Sequence, residues 1–325
     1  MRRAGREQKH RKGGIASLPA FDALRALKTI PINFTKAALR LPGLQPVSCA
    51  RRKGMVVSMK VFISADIEGV ADLVSFAEAG NENPQLYTRG MEQMSREVGA
   101  VCRGAIAAGA EIVTVKDAHG GGMNIFHEYL PEQAQLIRGE MRSPYSMIGN
   151  IDGSYDAVIF VGYHDAAGQD GNPMAHTISS RRIREITING VPAGEFHLFS
   201  YAAMGLGVPT AMISGDAAIC KKAKAVNSRI ETVATKEGVA AAVISRHPKA
   251  VERELEEAAK RALSGDLNRY RYALPEHFRV TVAYQKHYDA AYASHYFNTR
   301  RLDAHTVEFC SDDYEEVLRF FHFVL

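Results

Sequence analysis

The chain has 325 residues, 46% of them hydrophobic and 23% charged, the profile of a soluble globular protein with ample material for a core. Its formal charge of +4 is unevenly spread: residues 1–58 carry 13 Lys and Arg against two acids, leaving 27 basic and 34 acidic residues in the remainder. An acidic body argues against nucleic acid as a partner, and the lack of any apolar run near 18 residues argues against a membrane-spanning helix.

Residues 1–58 differ in kind from the rest of the chain. Arg2, Arg3, Arg6, Lys9, Arg11 and Lys12 form one basic cluster, Arg51, Arg52 and Lys53 another, and four prolines interrupt the stretch between them. No apolar core with a small-residue cleavage site is present, so a secretory signal is not expected. The segment reads as a disordered or untranslated extension, with Met55 or Met59 as the true start, although its Arg-rich, acid-poor composition also fits an organelle transit segment. The four cysteines, Cys49, Cys102, Cys220 and Cys310, form no C-x-x-C pair, which suits a reducing cytoplasm.

From residue 60 the chain alternates strand and helix. Residues 61–65 read as the first strand, 87–108 as an amphipathic helix with Met91, Met94, Val98, Val101 and Ile106 on its apolar stripe, and 111–116 as the second strand. Further strands are expected at 157–163, 184–189 and 210–214, with a helix over 194–206 and another capped by Asp216. This rhythm predicts an α/β fold, a three-layer mostly parallel sheet with helices on both faces, filling a domain over 59–265. It closes with a charged helix over 248–263 whose acids and bases form a solvated face. Strand-like 278–284 and 306–310 and helical 288–296 and 312–324 then predict a smaller C-terminal α+β unit over 266–325.

The chemistry gathers at strand ends. The run from Lys60 to Gly69 begins as an apolar strand and ends in Asp66 and Glu68, two carboxylates that repel each other and resist burial, so they either stay solvated in a turn or hold a cation between them. The second strand ends in Asp117 and His119 before three glycines, where Asp117 either orients His119 or makes a local turn. The third ends in His164. Asp66, Glu68, His119 and His164 converge if these strands are neighbours, and such a mixed carboxylate and imidazole set suits zinc or a similar divalent ion, with a carboxylate able to bridge two. His176 lies in a Gly- and Pro-rich loop that could form an active-site rim. Glu195 opens an apolar helix, where its alternative role is to complement the helix dipole.

Together, the stretches Ser64-Ala65-Asp66-Ile67-Glu68-Gly69, Asp117-Ala118-His119, Gly162-Tyr163-His164, Met174-Ala175-His176 and Gly194-Glu195 resemble the zinc-dependent D-aminopeptidase family named for a bacterial dipeptide-transport operon. The similarity runs from about residue 59 to the C-terminus. It implies that Asp66, Glu68, His119, His164 and Glu195 hold two Zn2+ per subunit, or Mn2+ or Co2+ in their place, with Asp66 as the bridge. It implies that His176 is the catalytic histidine, to which a nucleophile's role has been assigned. It also implies a homo-oligomer, a ring-shaped decamer with enclosed active sites, cleaving short peptides with an N-terminal D-residue such as D-Ala dipeptides. The surroundings depart from the pattern: Lys116 stands where Asn is expected, Asp165 replaces a small residue, the bulky run 196–200 follows Glu195, and an arginine expected near Ala241 is missing. Two other functions therefore stay open. One is a dinuclear hydrolase for another amide or phosphoester, which Lys116, Arg181 or Arg182 would steer toward anionic substrates; the other is a non-catalytic peptide-binding protein of an uptake system.

Overall fold

Strand β1 (Met59–Ala65) is buried on both faces from Val61 to Ala65, which explains why its sequence is a continuous apolar run instead of an alternating one. The computed structural model describes residues 58–325. Expectations for the N-terminal extension, including Cys49 and a start at Met55, lie outside the described residues. After β1 come α1 (Phe76–Ala79), α2 (Pro84–Ala107), β2 (Ala110–Asp117), β3 (Ala134–Ile137), β4 (Ala157–Tyr163), β5 (Ile183–Ile188) and β6 (Val191–Pro192). Next are α3 (Glu195–Gly205), β7 (Thr210–Asp216), α4 (Ala217–Val226), β8 (Glu231–Val239), β9 (Ala242–Ser245) and α5 (Pro248–Leu263). The chain ends with β10 (Phe278–Tyr284), α6 (His287–Ala293), β11 (Thr299–Arg301), β12 (Thr306–Ser311) and α7 (Tyr314–Val324).

The main sheet has the order β3-β2-β1-β4-β7-β8-β9, parallel throughout except for the β8–β9 pair. From β1 the chain first winds outward through β2 and β3, then returns to place β4, β7 and β8 on the other side. The carboxyl ends of β1 and β4 therefore straddle a topological switch point, where open α/β sheets form their ligand crevice. Right-handed crossovers in opposite directions put α2 and α3 on opposite faces, giving the expected three layers. Helix α5 packs on α2, Gly104 lying against Ala259 and the Glu256 carbonyl, and buries Val251, Leu255, Ala258 and Ala262 while its charged residues face outward.

The switch point is tightly closed. Asp66 N–H donates to Val161 O at 2.8 Å and Gly69 N–H to Gly162 O at 2.8 Å. Gly162 adopts φ +71°, and a Cβ on it would lie 2.2 Å from Asp66 O; one on Gly69 would lie 1.8 Å from Tyr163 O. Only glycine fits at either position.

A second, antiparallel sheet has the order β11-β12-β10-β5-β6 and packs against α6 and α7. The run 184–189, expected in the main sheet, instead pairs with β10, Ile188 opposite Val280 and Thr187 opposite Thr281. Its burial explains this: Ile186 and Ile188 are buried while Glu185 and Thr187, before and between them, are half-exposed, the period-2 pattern of a strand with one wet face, and the register shift opposite Ala283 and Tyr284 buries Ile183 as well. The smaller sheet thus draws strands from both sides of residue 265, and the described residues belong to one compact unit.

Candidate metal centre

Each ligand-type residue is delivered by a different element. Asp66 and Glu68 leave the end of β1, His119 follows β2, His164 follows β4, His176 comes from the loop before β5, and Glu195 is the first residue of α3. The β1 loop is held from behind by buried side chains. Lys236 Nζ donates to Glu68 O and Leu73 O at 2.6 Å each, Asn172 Nδ2 donates to Glu68 O at 3.3 Å, and Glu97 Oε1 accepts from Ala71 N at 2.8 Å.

The six side chains meet at one point. His119 Nδ1 lies 3.1 Å from Asp66 Oδ1 and 3.2 Å from Glu68 Oε2. His164 Nε2 lies 3.5 Å from Asp66 Oδ2 and 3.3 Å from Glu195 Oε2. His176 Nε2 lies 3.9 Å from Glu68 Oε1 and 3.7 Å from Glu195 Oε1. These contacts resolve into groups with metal-ligand spacing: Asp66, Glu68 and His119; Asp66, His164 and Glu195; and Glu68, His164 and His176. The first two share Asp66, one carboxylate oxygen turned to each.

The histidines are oriented by backbone carbonyls. His119 Nε2 donates to Ala79 O at 2.7 Å, His164 Nδ1 to Asp165 O at 2.8 Å, and His176 Nδ1 to Met174 O at 2.9 Å. A carbonyl only accepts, so each outer nitrogen carries the hydrogen and each neutral ring aims a lone pair inward. Three lone pairs then face three carboxylates, acceptor against acceptor. Asp66 Oδ2, Glu68 Oε2 and His164 Nε2 are buried without a hydrogen-bond partner among the described residues. A cation bound by all of them satisfies every one, and a set of oxygen and imidazole ligands without thiolate fits zinc or a similar divalent ion.

Protons are the other way to balance the charge, and the electrostatics show how strongly they are drawn. Burial, reinforced by Glu68, drives the Asp66 carboxyl well above its usual range. Burial opposes charge on His119 and His164 too, yet the carboxylates around them win and hold both imidazoles well above the ordinary value. Glu68 is held low despite its burial by His119, His176 and His164, and Glu195 is pulled down to about 2 by His164 and His176. A bound cation displaces these protons.

The sequence pattern of peptidase family M55, described as D-aminopeptidase, matches residues 59–323. The chain belongs to this family. A D-aminopeptidase of Bacillus subtilis (strain 168) is 31% identical over 188 residues, 57% of this chain; the matched stretch spans 66% of that protein's length. Among solved structures, the Zn-dependent D-aminopeptidase DppA from Bacillus subtilis, a self-compartmentalizing protease, aligns with a TM-score of 0.73 at 28% identity, covering 81% of this chain and 95% of that one. Membership of the D-aminopeptidase family is what the five short motifs led us to expect.

Within this family fold, the residues around the cluster take roles that local sequence leaves open. Asp117 builds the turn and does not touch His119: Oδ2 accepts from Asn124 N and Ile125 N, and Oδ1 from Asn124 Nδ2. Glu195, besides sitting at a helix start, turns its carboxylate to His164 and accepts from Ile178 N at 2.7 Å. Lys116 Nζ is bound to the carbonyls of Asp117 and Gly139, and Arg182 to those of Val324 and Leu325. Lys116 and Arg182 are thus engaged within the fold, and of the three cations that would steer an anionic substrate Arg181 alone stays exposed. Asp165, the departure beside His164, pairs its carboxylate with Lys222 and accepts from Gly171 N. Lys236, Glu97 and Asn172 are not legible in the sequence, because each binds a backbone group distant in the chain, and neither is Ile178, which acts through its own N–H.

Proposed function

We propose that this protein is a metal-dependent aminopeptidase that hydrolyses short peptides with an N-terminal D-residue, such as D-Ala dipeptides, at a dinuclear zinc centre. The observation that carries the reading is the pair of ligand groups joined through Asp66, with every histidine's free nitrogen turned inward. The names of the relatives, D-aminopeptidase and Zn-dependent D-aminopeptidase, support the substrate and the metal. Asp66, Glu68 and His119 would hold one ion and Asp66, His164 and Glu195 the other, with Mn2+ or Co2+ as substitutes. Bound there, such ions supply Lewis-acid chemistry, acidifying water and polarising a carbonyl.

The protein's own contribution centres on His176. Its ring stacks on His164 with centroids 4.4 Å apart and meets Phe76 edge-on at 5.6 Å, which fixes its plane and shields it from water. With Nδ1–H held by Met174 O, Nε2 is free to take a proton from the attacking water and to return it to the leaving amine. Glu68 and Glu195 face that nitrogen and stabilise the imidazolium in between. The same carboxylates attract the substrate's α-ammonium group. We extend the reading to a cytoplasmic homo-oligomer, a ring-shaped decamer, supported by the self-compartmentalizing habit of the DppA relative.

The test is an assay of zinc-loaded protein on D-Ala-D-Ala, L-Ala-L-Ala and a generic phosphoester. Cleavage of the D-peptide alone supports the proposal. Cleavage of the phosphoester alone, or tight peptide binding with no turnover in any metal, overturns it.

A further inference from the structure

Two cavities lie side by side and share Ser143, Ser146 and His322. The first, of about 190 Å³, is bordered by Ala118 and Gly120, the residues flanking His119. The second, of about 210 Å³, is walled by Ile178, Leu198, Phe199, Leu318 and Phe321. Two of its wall residues are tied to Glu195 of the metal centre. Ile178 N–H donates to Glu195 Oε1, and Leu198 stands one helical turn beyond Glu195 on α3. Ile178 holds φ +61°, a conformation unfavourable to a β-branched residue that the surrounding fold must impose.

The approach to the centre is also apolar. Phe76, which packs on His176, is 36% exposed, Ile178 37%, Met141 of the first cavity 39%, and Met123 beside the glycine turn 64%. Large apolar side chains left in water around a cleft mark a surface that a ligand covers. A methyl group fills little of a 210 Å³ apolar cavity, whereas a branched aliphatic or aromatic side chain fills it.

We propose that the Ile178–Phe321 cavity is a side-chain subsite, and that the preferred substrates are peptides with a branched or aromatic residue next to the scissile bond instead of alanine. This rests on the peptidase reading and narrows its substrate class. The test uses the zinc-loaded full chain on D-Ala-Gly, D-Leu-Gly and D-Phe-Gly, and on D-Ala-D-Leu and D-Ala-D-Phe against D-Ala-D-Ala, so that each side of the bond is varied alone. The larger side chain raises kcat/KM about tenfold or more at one of the two positions. Ser143→Phe and His322→Trp, which crowd the shared rim from a half-buried and an exposed position, abolish that gain and leave D-Ala-Gly turnover within about twofold. Equal rates for small and large residues at both positions overturn the inference, as does a preference that survives both variants. If no peptide is cleaved, the peptidase reading fails on its own and binding decides the subsite. Calorimetry of D-Phe-Gly against D-Ala-Gly then supports the subsite if the larger peptide binds more tightly in the unsubstituted protein alone, and overturns it if the two bind alike.

Discussion

Three backbone carbonyls, those of Ala79, Asp165 and Met174, decide what the histidines can do, because each holds the outer N–H and leaves the inward nitrogen as the one that can bind a cation or carry a proton. His176 differs from the other two in standing outside both groups that share Asp66. His176→Ala is therefore expected to keep its metal content by elemental analysis while kcat falls by about 10²–10⁴-fold; full activity would remove His176 from the reaction. Asp66 belongs to both groups, so Asp66→Ala is expected to lose both ions, whereas Glu195→Gln keeps the ion on Asp66, Glu68 and His119. Equal metal contents in these two variants would argue against a bridge. At this scale the sequence is informative wherever a ligand-type residue closes an apolar strand, as Asp66, Glu68, His119 and His164 do. It is silent on Lys236, whose partner carbonyl on Glu68 is 168 positions away.

Among the elements, the seam between β1 and β4 matters most, since it sets the separation of Asp66 and His164. Gly162→Ala forces a Cβ to within 2.2 Å of Asp66 O at a residue with positive φ. The expected cost is about 1–3 kcal/mol of stability, a fall in Tm of roughly 2–4 °C per kcal/mol, together with weaker metal binding. A variant with unchanged Tm and metal content would show that the seam can open without consequence. The order of strands and helices through β1, α2, β2, β4, α3 and β7 is legible because continuous apolar runs and a 3.6-residue stripe are strong patterns. Strand β5 falls outside the expected sheet because its alternation, decisive for an antiparallel pairing, outweighs the β-α-β rhythm around it. Strand β8 is hard to see because its sequence is polar: only Val233, Thr235 and Lys236 are buried, and two of these three are hydrogen-bonding side chains.

For the molecule as a whole, the β1 loop brings the metal centre and the stability of the fold together. Glu97, which holds Ala71 N, is pushed by burial, against its hydrogen bonds and Lys236, from 4.5 to about 7. Its folded pKa exceeds its unfolded one, so its contribution is fully present below pH 4.5 and is lost as pH rises through about 7. The difference amounts to about 3 kcal/mol. Glu97→Gln keeps the acceptor for Ala71 N without the charge, and its Tm relative to the unsubstituted protein is expected to rise between pH 5 and pH 8; a constant difference would place the Glu97 pKa near its ordinary value.

Whether a peptidase is built on two ions bridged by Asp66 is decided by titrating metal-free protein with zinc while following hydrolysis of D-aminoacyl peptides and their L-counterparts. Activity on the D-series is expected to rise to a plateau at two zinc ions per chain. Saturation below one ion per chain, or a loaded protein that cleaves neither series, would contradict it.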